Sequence, residues 1–138
     1  MSQAPDAVGV LIVDDEPRIR DGLTRVLTAM GYRIAATGRG EEVLGLLASE
    51  NAAIVLLDLQ LPDVNGMLVL NKIRERYPHV VVIIITGFGT VQTAAEAMRA
   101  VGGQALPVMC DIRDEAQVRD AFARAEATEV GTVQDEYL

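Results

Sequence analysis

The sequence predicts an α/β domain: a doubly wound, five-stranded parallel sheet of order 2-1-3-4-5, with helices on both faces. Three observations carry that prediction. Short apolar runs recur at residues 8–13, 32–37, 54–58, 80–85 and 105–110, each separated by enough chain for a helix. The runs at 8–13 and 80–85 are continuously apolar, as in parallel strands buried on both faces. The intervening segments place apolar residues three and four apart, the spacing of a helix with one inward face.

The first strand, 8–13, ends in Asp14-Asp15-Glu16, and Pro17 opens a helix where its lack of an N–H costs nothing. Ile19, Leu23, Val26, Leu27 and Met30 form the inward stripe, and Gly31 stops the helix. Residues 32–37 form a weaker strand, and residues 41–49 a helix with Val43, Leu46 and Leu47 inward. The strand at 54–58 delivers Asp58 and breaks into Pro62-Asp63-Val64-Asn65-Gly66, read as a turn in which Asn65-Gly66 needs a left-handed residue. A helix follows from about Met67 to Tyr77, with Arg74-Glu75-Arg76 as a solvated face, and Pro78 ends it. The strand at 80–85 delivers Thr86 into Gly87-Phe88-Gly89, ahead of a helix with Val91, Ala94, Ala95 and Met98 on one face. After the fifth strand, Asp111 to Asp114 cap a last helix with Val118, Ala121, Phe122 and Ala125 inward. Residues 128–138 read as a polar tail.

Composition narrows the function classes. The chain has 138 residues, half of them hydrophobic, which suits one domain with a sizeable core. Twelve basic against 20 acidic residues give a net charge of -8, which argues against direct nucleic-acid or membrane binding. One cysteine, Cys110, excludes an internal disulfide and fits a cytoplasmic location. The N-terminus lacks the pattern of a signal peptide, and the longest apolar run is too short to span a bilayer.

With strands one and three adjacent, Asp14, Asp15 and Asp58 converge at one edge of the sheet, where ligands of open α/β sheets bind. Clustered carboxylates repel one another and need a counter-charge, which a hard cation with oxygen ligands such as Mg²⁺ supplies. A carboxylate can itself act as a nucleophile and form an aspartyl phosphate, and the Thr86 hydroxyl is positioned to hydrogen-bond an incoming phosphoryl oxygen. As a lone pair, Asp14 and Asp15 would be read as helix-capping acids; with Asp58 and Thr86 at matching strand ends, the functional reading prevails. His79, in a loop after Pro78, reads as solvated, and Cys110 as a small strand residue.

Three motifs in this order and spacing are specific: Val13-Asp14-Asp15-Glu16-Pro17, Asp58-Leu59-Gln60-Leu61-Pro62-Asp63-Val64-Asn65-Gly66, and Ile85-Thr86-Gly87-Phe88-Gly89-Thr90. Through them, residues 8 to about 100 resemble a response regulator receiver domain, whose flavodoxin-like (CheY-like) sheet has the predicted strand order. The resemblance implies Asp58 as phosphoacceptor, Asp15 as direct Mg²⁺ ligand, Asp14 acting through water, the backbone carbonyl of Gln60 completing the metal shell, and Thr86 as switch hydroxyl. It implies a histidine kinase or phosphotransfer protein as donor. The output is then a downstream protein or a domain outside this chain. No enzyme activity is expected beyond self-phosphorylation and autodephosphorylation at Asp58. Gly87-Phe88-Gly89-Thr90 and Ala97-Met98-Arg99-Ala100 resemble receivers attached to transcriptional activators. The receiver reading spans residues 1–127, with an atypical strand five and last helix at 102–127.

That C-terminal part departs from the family. Receivers place a lysine, followed by proline, at the end of strand five, and matching the Ala97-Met98-Arg99-Ala100 helix end onto the family puts that lysine near Val108, with Pro107 before it. Lys72 is the only lysine in the chain, and the strand-five aromatic of the family, which would fall near Ala105, is missing. Arg113 is the nearest later cation. A missing point charge predicts weaker stabilisation of a transferring phosphoryl group, and the rival expectation is a pseudo-receiver that binds metal or a protein without switching. Residues 102–118 resemble a strand-loop-helix piece of short-chain dehydrogenases, which implies a chimeric C-terminus. The glycine-rich loop and the Tyr-x-x-x-Lys pair of that family are absent, so an oxidoreductase is not expected.

Overall fold

The computed structural model describes residues 7–85 and 105–108, together with residues 116, 118–120, 122 and 123, which are helical. Its elements are β1 (Gly9–Val13), α1 (Pro17–Ala29), β2 (Arg33–Thr37), a 3₁₀ turn (Gly40–Glu42), α2 (Val43–Glu50), β3 (Ile54–Asp58), α3 (Gly66–Arg76), β4 (Val81–Ile85) and β5 (Ala105–Val108). The strands form one sheet of order β2-β1-β3-β4-β5, and every pairing is parallel. This is the predicted topology.

Both faces of the sheet are covered, and side-chain alternation divides the core in two. On one face, Val10, Ile12, Ile54, Leu56, Val81 and Ile83 pack with Leu23, Leu27, Tyr32, Val118 and Phe122. On the other, Leu11, Val13, Val55, Leu57, Val82 and Ile84 pack with Val43, Leu47, Val69, Leu70 and Ile73. Successive residues therefore serve opposite layers, which is why the strands read as unbroken apolar runs. Burial of each such side chain contributes about 1.5–3 kcal/mol before entropy is charged against it.

The helix boundaries have identifiable causes. Pro17 occupies the first turn of α1, and Gly31, at φ +99°, reverses the chain behind it. The helix predicted at 41–49 instead begins as a 3₁₀ turn, in which the Glu42 N–H donates to the Arg39 carbonyl at 3.2 Å, and the Asp63 carboxylate accepts the N–H groups of Gly40 (3.0 Å) and Glu41 (3.1 Å) at its start. α2 ends on Asn51 at φ 53°, a residue that tolerates the left-handed region.

The Asn65-Gly66 pair corrects the sequence reading. Asn65 has φ -71° and caps α3, its side chain accepting from the Met67 N–H at 2.8 Å. Gly66 is needed for space: a Cβ there would fall 2.5 Å from the Leu59 backbone, to which the Gly66 N–H donates at 3.2 Å. Arg74 is also not a solvated-face residue. It is half-buried and donates to the carbonyls of Val80 (2.9 Å) and Pro78 (3.3 Å), fixing the turn into β4. At the opposite end of the sheet Arg33 donates to the carbonyls of Ala7, Glu50 and Asn51, tying β2 to the start of β1 and the end of α2.

Strand five and the last helix complete the sheet and its first face. β5 pairs with β4, and Tyr32 meets Phe122 with ring centroids 5.3 Å apart, tilted by 54°. Val118 and Phe122 are buried as predicted, His79 is exposed, and Thr86, Ala121, Ala125, Cys110 and Arg113 lie outside the described residues. Among the described residues no helix is long and apolar enough to cross a membrane. Because Phe122 is 1% exposed and central to its layer, Phe122→Ala is expected to cost about 3–5 kcal/mol in urea unfolding. A loss below about 1 kcal/mol would show that the last helix does not seal this face.

Candidate functional site

Parallel strands present all their carboxyl ends on one side, and the register decides what meets there. Val13 is level with Leu57 and Asp58 with Ile85, which is level with Val108. Asp14, one residue past β1, therefore stands beside Asp58 at the end of β3, and the strand-five position Val108 lies in the same row two strands away. Asp14, Asp15 and Asp58 each offer an oxygen, and these oxygens lie within 4.8 Å of one another. The predicted acidic cluster is present.

The three acids are held differently. Asp14 is buried, at 5% exposure; its N–H donates to the Thr37 carbonyl at 3.1 Å, and its Oδ1 accepts from the Glu16 N–H at 2.9 Å. Asp15 is exposed at the rim. Asp58 is half-buried, and its Oδ1 accepts from the Gln60 N–H at 2.9 Å. Gln60 also bridges to Asn65, closing the loop that carries it against the start of α3. Helix capping does not explain the pair: the N-cap of α1 is Glu16, which makes no side-chain cap.

Electrostatics make the cluster costly as it stands. Burial is the main cause that pushes the Asp14 carboxyl up to about 6, with the Asp58 and Asp15 charges adding to it; the Glu16 N–H and the Arg20 guanidinium act the other way. Asp58 is likewise raised, first by burial and then by the Asp15 charge, against the Gln60 hydrogen bond. Three carboxylates crowded at a sheet edge form a hard, all-oxygen donor set, suited to a divalent cation such as Mg²⁺. The chemistry of the donor set fits the metal.

Two residues of this region escaped the sequence reading. Asp63, exposed in the loop after β3, is held below its usual range first by the Gly40 N–H, and it fastens that loop to the 3₁₀ turn. Arg20 reaches back from α1 and donates from its Nη1 to the Asp14 carbonyl at 2.7 Å. A signal for Arg20 was present: α1 has arginines and no acids in its first turn, contrary to the preference of a helix N-terminus for negative charge.

Comparison with known proteins agrees with this geometry. Residues 10–107 match the response regulator receiver domain family. The response regulator protein FleR of Pseudomonas aeruginosa is 38% identical over 93 residues, covering 67% of this chain and 20% of that protein. The DNA-binding transcriptional regulator NtrC of Salmonella typhimurium is 36% identical over 107 residues, 78% of this chain and 23% of that protein. The chain thus spans about a fifth of the length of these relatives. Among solved structures, response regulator protein TrrA of Thermotoga maritima, in complex with Mg²⁺-BeF, superposes with a TM-score of 0.71 at 28% identity, covering 86% of this chain and 98% of that one. Chemotaxis protein CheY4 of Vibrio cholerae, at 20% identity and TM-score 0.75 over 86% of this chain and 98% of its own, shares the fold. With its parallel sheet, its acidic cluster and a family match over most of its length, the chain belongs to the receiver domains of two-component response regulators.

Proposed function

We propose that Asp58 is the phosphoacceptor of this receiver, supplied by a histidine kinase or a phosphotransfer protein. A carboxylate oxygen of Asp58 forms the new bond to phosphorus as the bond from phosphorus to the donor breaks, and the electron pair leaves with the donor. The observation that carries this reading is the convergence of Asp14, Asp15 and Asp58 at adjacent strand ends. Asp15, Asp58 and the Gln60 backbone carbonyl would hold Mg²⁺, with Asp14 acting through water, and the cation would supply charge neutralisation at the incoming phosphoryl oxygens. TrrA, a relative in fold and sequence, was solved with Mg²⁺-BeF, in line with this assignment. Thr86, which follows Ile85 directly, is the hydroxyl that hydrogen-bonds the phosphoryl group.

Val108 stands level with Ile85, where the receiver pattern has its lysine, so this domain transfers phosphate without that ammonium. The lysine and aromatic departures mark residues 102–118 as a replaced strand-helix segment, akin to the dehydrogenase piece they resemble. Signalling then passes to a separate output protein or to a further domain, of the transcriptional kind that the relatives' names describe.

Intact mass after incubation with Mg²⁺ and a small acyl phosphate is expected to rise by one phosphoryl group, and Asp58→Asn is expected to abolish the gain while keeping the fold. Undiminished incorporation in that variant would sink the assignment. No gain in the parent, with Mg²⁺ bound, would identify a pseudo-receiver.

A second expectation concerns pH. The Asp14 carboxyl lies at about 6 in the fold against 3.8 when unperturbed. Between those values the folded chain holds the extra proton, so metal-free stability declines as pH rises through that window and levels off above it. Asp14→Asn keeps the oxygen that accepts the Glu16 N–H. It should therefore raise metal-free stability at pH 7 by about 1–3 kcal/mol and flatten the decline. Chemical denaturation at pH 4, 5, 6 and 7 measures both, and an equal slope in the two proteins would refute the cause given.

A further inference from the structure

Arg20 lies on α1, in an element that carries none of the acids, yet its guanidinium is built into the acidic edge. Helical side chains lean toward the N-terminus of their helix, so from its place in the first turns Arg20 reaches back over the β1–α1 turn. Its Nη1 donates to the carbonyl of Asp14 at 2.7 Å, and that carbonyl belongs to the peptide linking Asp14 to Asp15. The same nitrogen lies against Gly38, just past β2, where a Cβ would come within 2.7 Å of it. Gly38 thus leaves the space that the guanidinium fills.

Asp14 is consequently held at three points. Its N–H is held by the Thr37 carbonyl, its Oδ1 by the Glu16 N–H and its carbonyl by Arg20. With the Asp14–Asp15 peptide plane fixed, the direction in which Asp15 leaves the backbone is fixed as well. A cation at the N-terminal end of a helix opposes the helix dipole. A hydrogen bond to the backbone between two clustered acids gives it a local reason to be there.

We infer that Arg20, seated against Gly38, is a positioning residue: it orients the Asp14–Asp15 peptide so that both carboxylates face the cation shared with Asp58. This rests on the metal-site reading above. Positioning and simple electrostatics predict opposite signs. Removing a positive charge beside a cation site should tighten Mg²⁺ binding if charge alone matters. Losing an outer partner that orients the ligands should weaken it by about tenfold.

The test is calorimetric titration of Mg²⁺ into the whole chain at pH 7.5, comparing the parent with Arg20→Ala, Gly38→Ala and Asp15→Asn. Gly38→Ala keeps the charge and displaces the guanidinium. Expected are a Kd raised about tenfold in Arg20→Ala and raised in the same direction in Gly38→Ala. Melting temperature, read on the same samples without metal, registers any general loss of stability. A merely structural arginine would lower it and leave the Kd of the folded protein alone. An Arg20→Ala variant that binds Mg²⁺ as tightly as the parent, or more tightly, overturns the positioning role; should that variant not fold, Gly38→Ala decides by the same criterion. Failure of the parent to bind Mg²⁺, or parent-like binding by Asp15→Asn, overturns the metal-site reading and the positioning role with it.

Discussion

Three carboxylates crowded at the end of a parallel sheet are the constraint on which the rest of this structure depends. Water is partly excluded from Asp14 and Asp58; the Asp58 and Asp15 charges disfavour ionisation of Asp14, and the Asp15 charge disfavours that of Asp58. A fold that only maximised its stability would not keep them there. Retaining them calls for rigid strand ends, backbone donors aimed at the carboxylates, and a cation to complete the set.

The surrounding architecture supplies the first two. Continuous apolar runs bury both faces of the sheet, so β1 and β3 are fixed by two layers of side chains and by their shared register. The N–H groups of Glu16 and Gln60 each bond an acid two residues earlier, a local turn that turns backbone polarity toward the site. Asp63 and Gly66 draw the loop after β3 against the 3₁₀ turn and α3, which holds Gln60 beside Asp58. Arg20 closes the other side. The site is thus framed by the β1–α1, β2–α2 and β3–α3 connections, all at the carboxyl ends of strands, where open α/β sheets bind their ligands.

Strand five separates scaffold from chemistry. Ala105–Val108 pairs in register with β4, and Val118 and Phe122 fill the layer over β1 and β3. Sheet closure needs a strand with a free edge to pair and a helix with an apolar stripe, and many sequences meet those requirements. A phosphoryl counter-charge needs one cationic side chain at one position, a far narrower demand than the pairing that sets Val108 level with Ile85.

The strand order, the two-sided burial and the convergence of Asp14, Asp15 and Asp58 were legible in the sequence, because each follows from local periodicity and a short menu of connections. So were the stop at Gly31 and the burial of Val118 and Phe122. Four features were not. Gly66 is demanded by the nearness of Leu59 and not by a left-handed turn; Arg74 bonds the loop before β4; Asp63 reaches back 23 residues to Gly40; and Arg20 finds both Asp14 and Gly38. Each depends on where two separate connections come to rest relative to one another, which only packed strands and helices determine. Periodicity and turn chemistry therefore specified the elements and the acids they deliver. Tertiary packing decided which hydrogen-bond donors meet those acids.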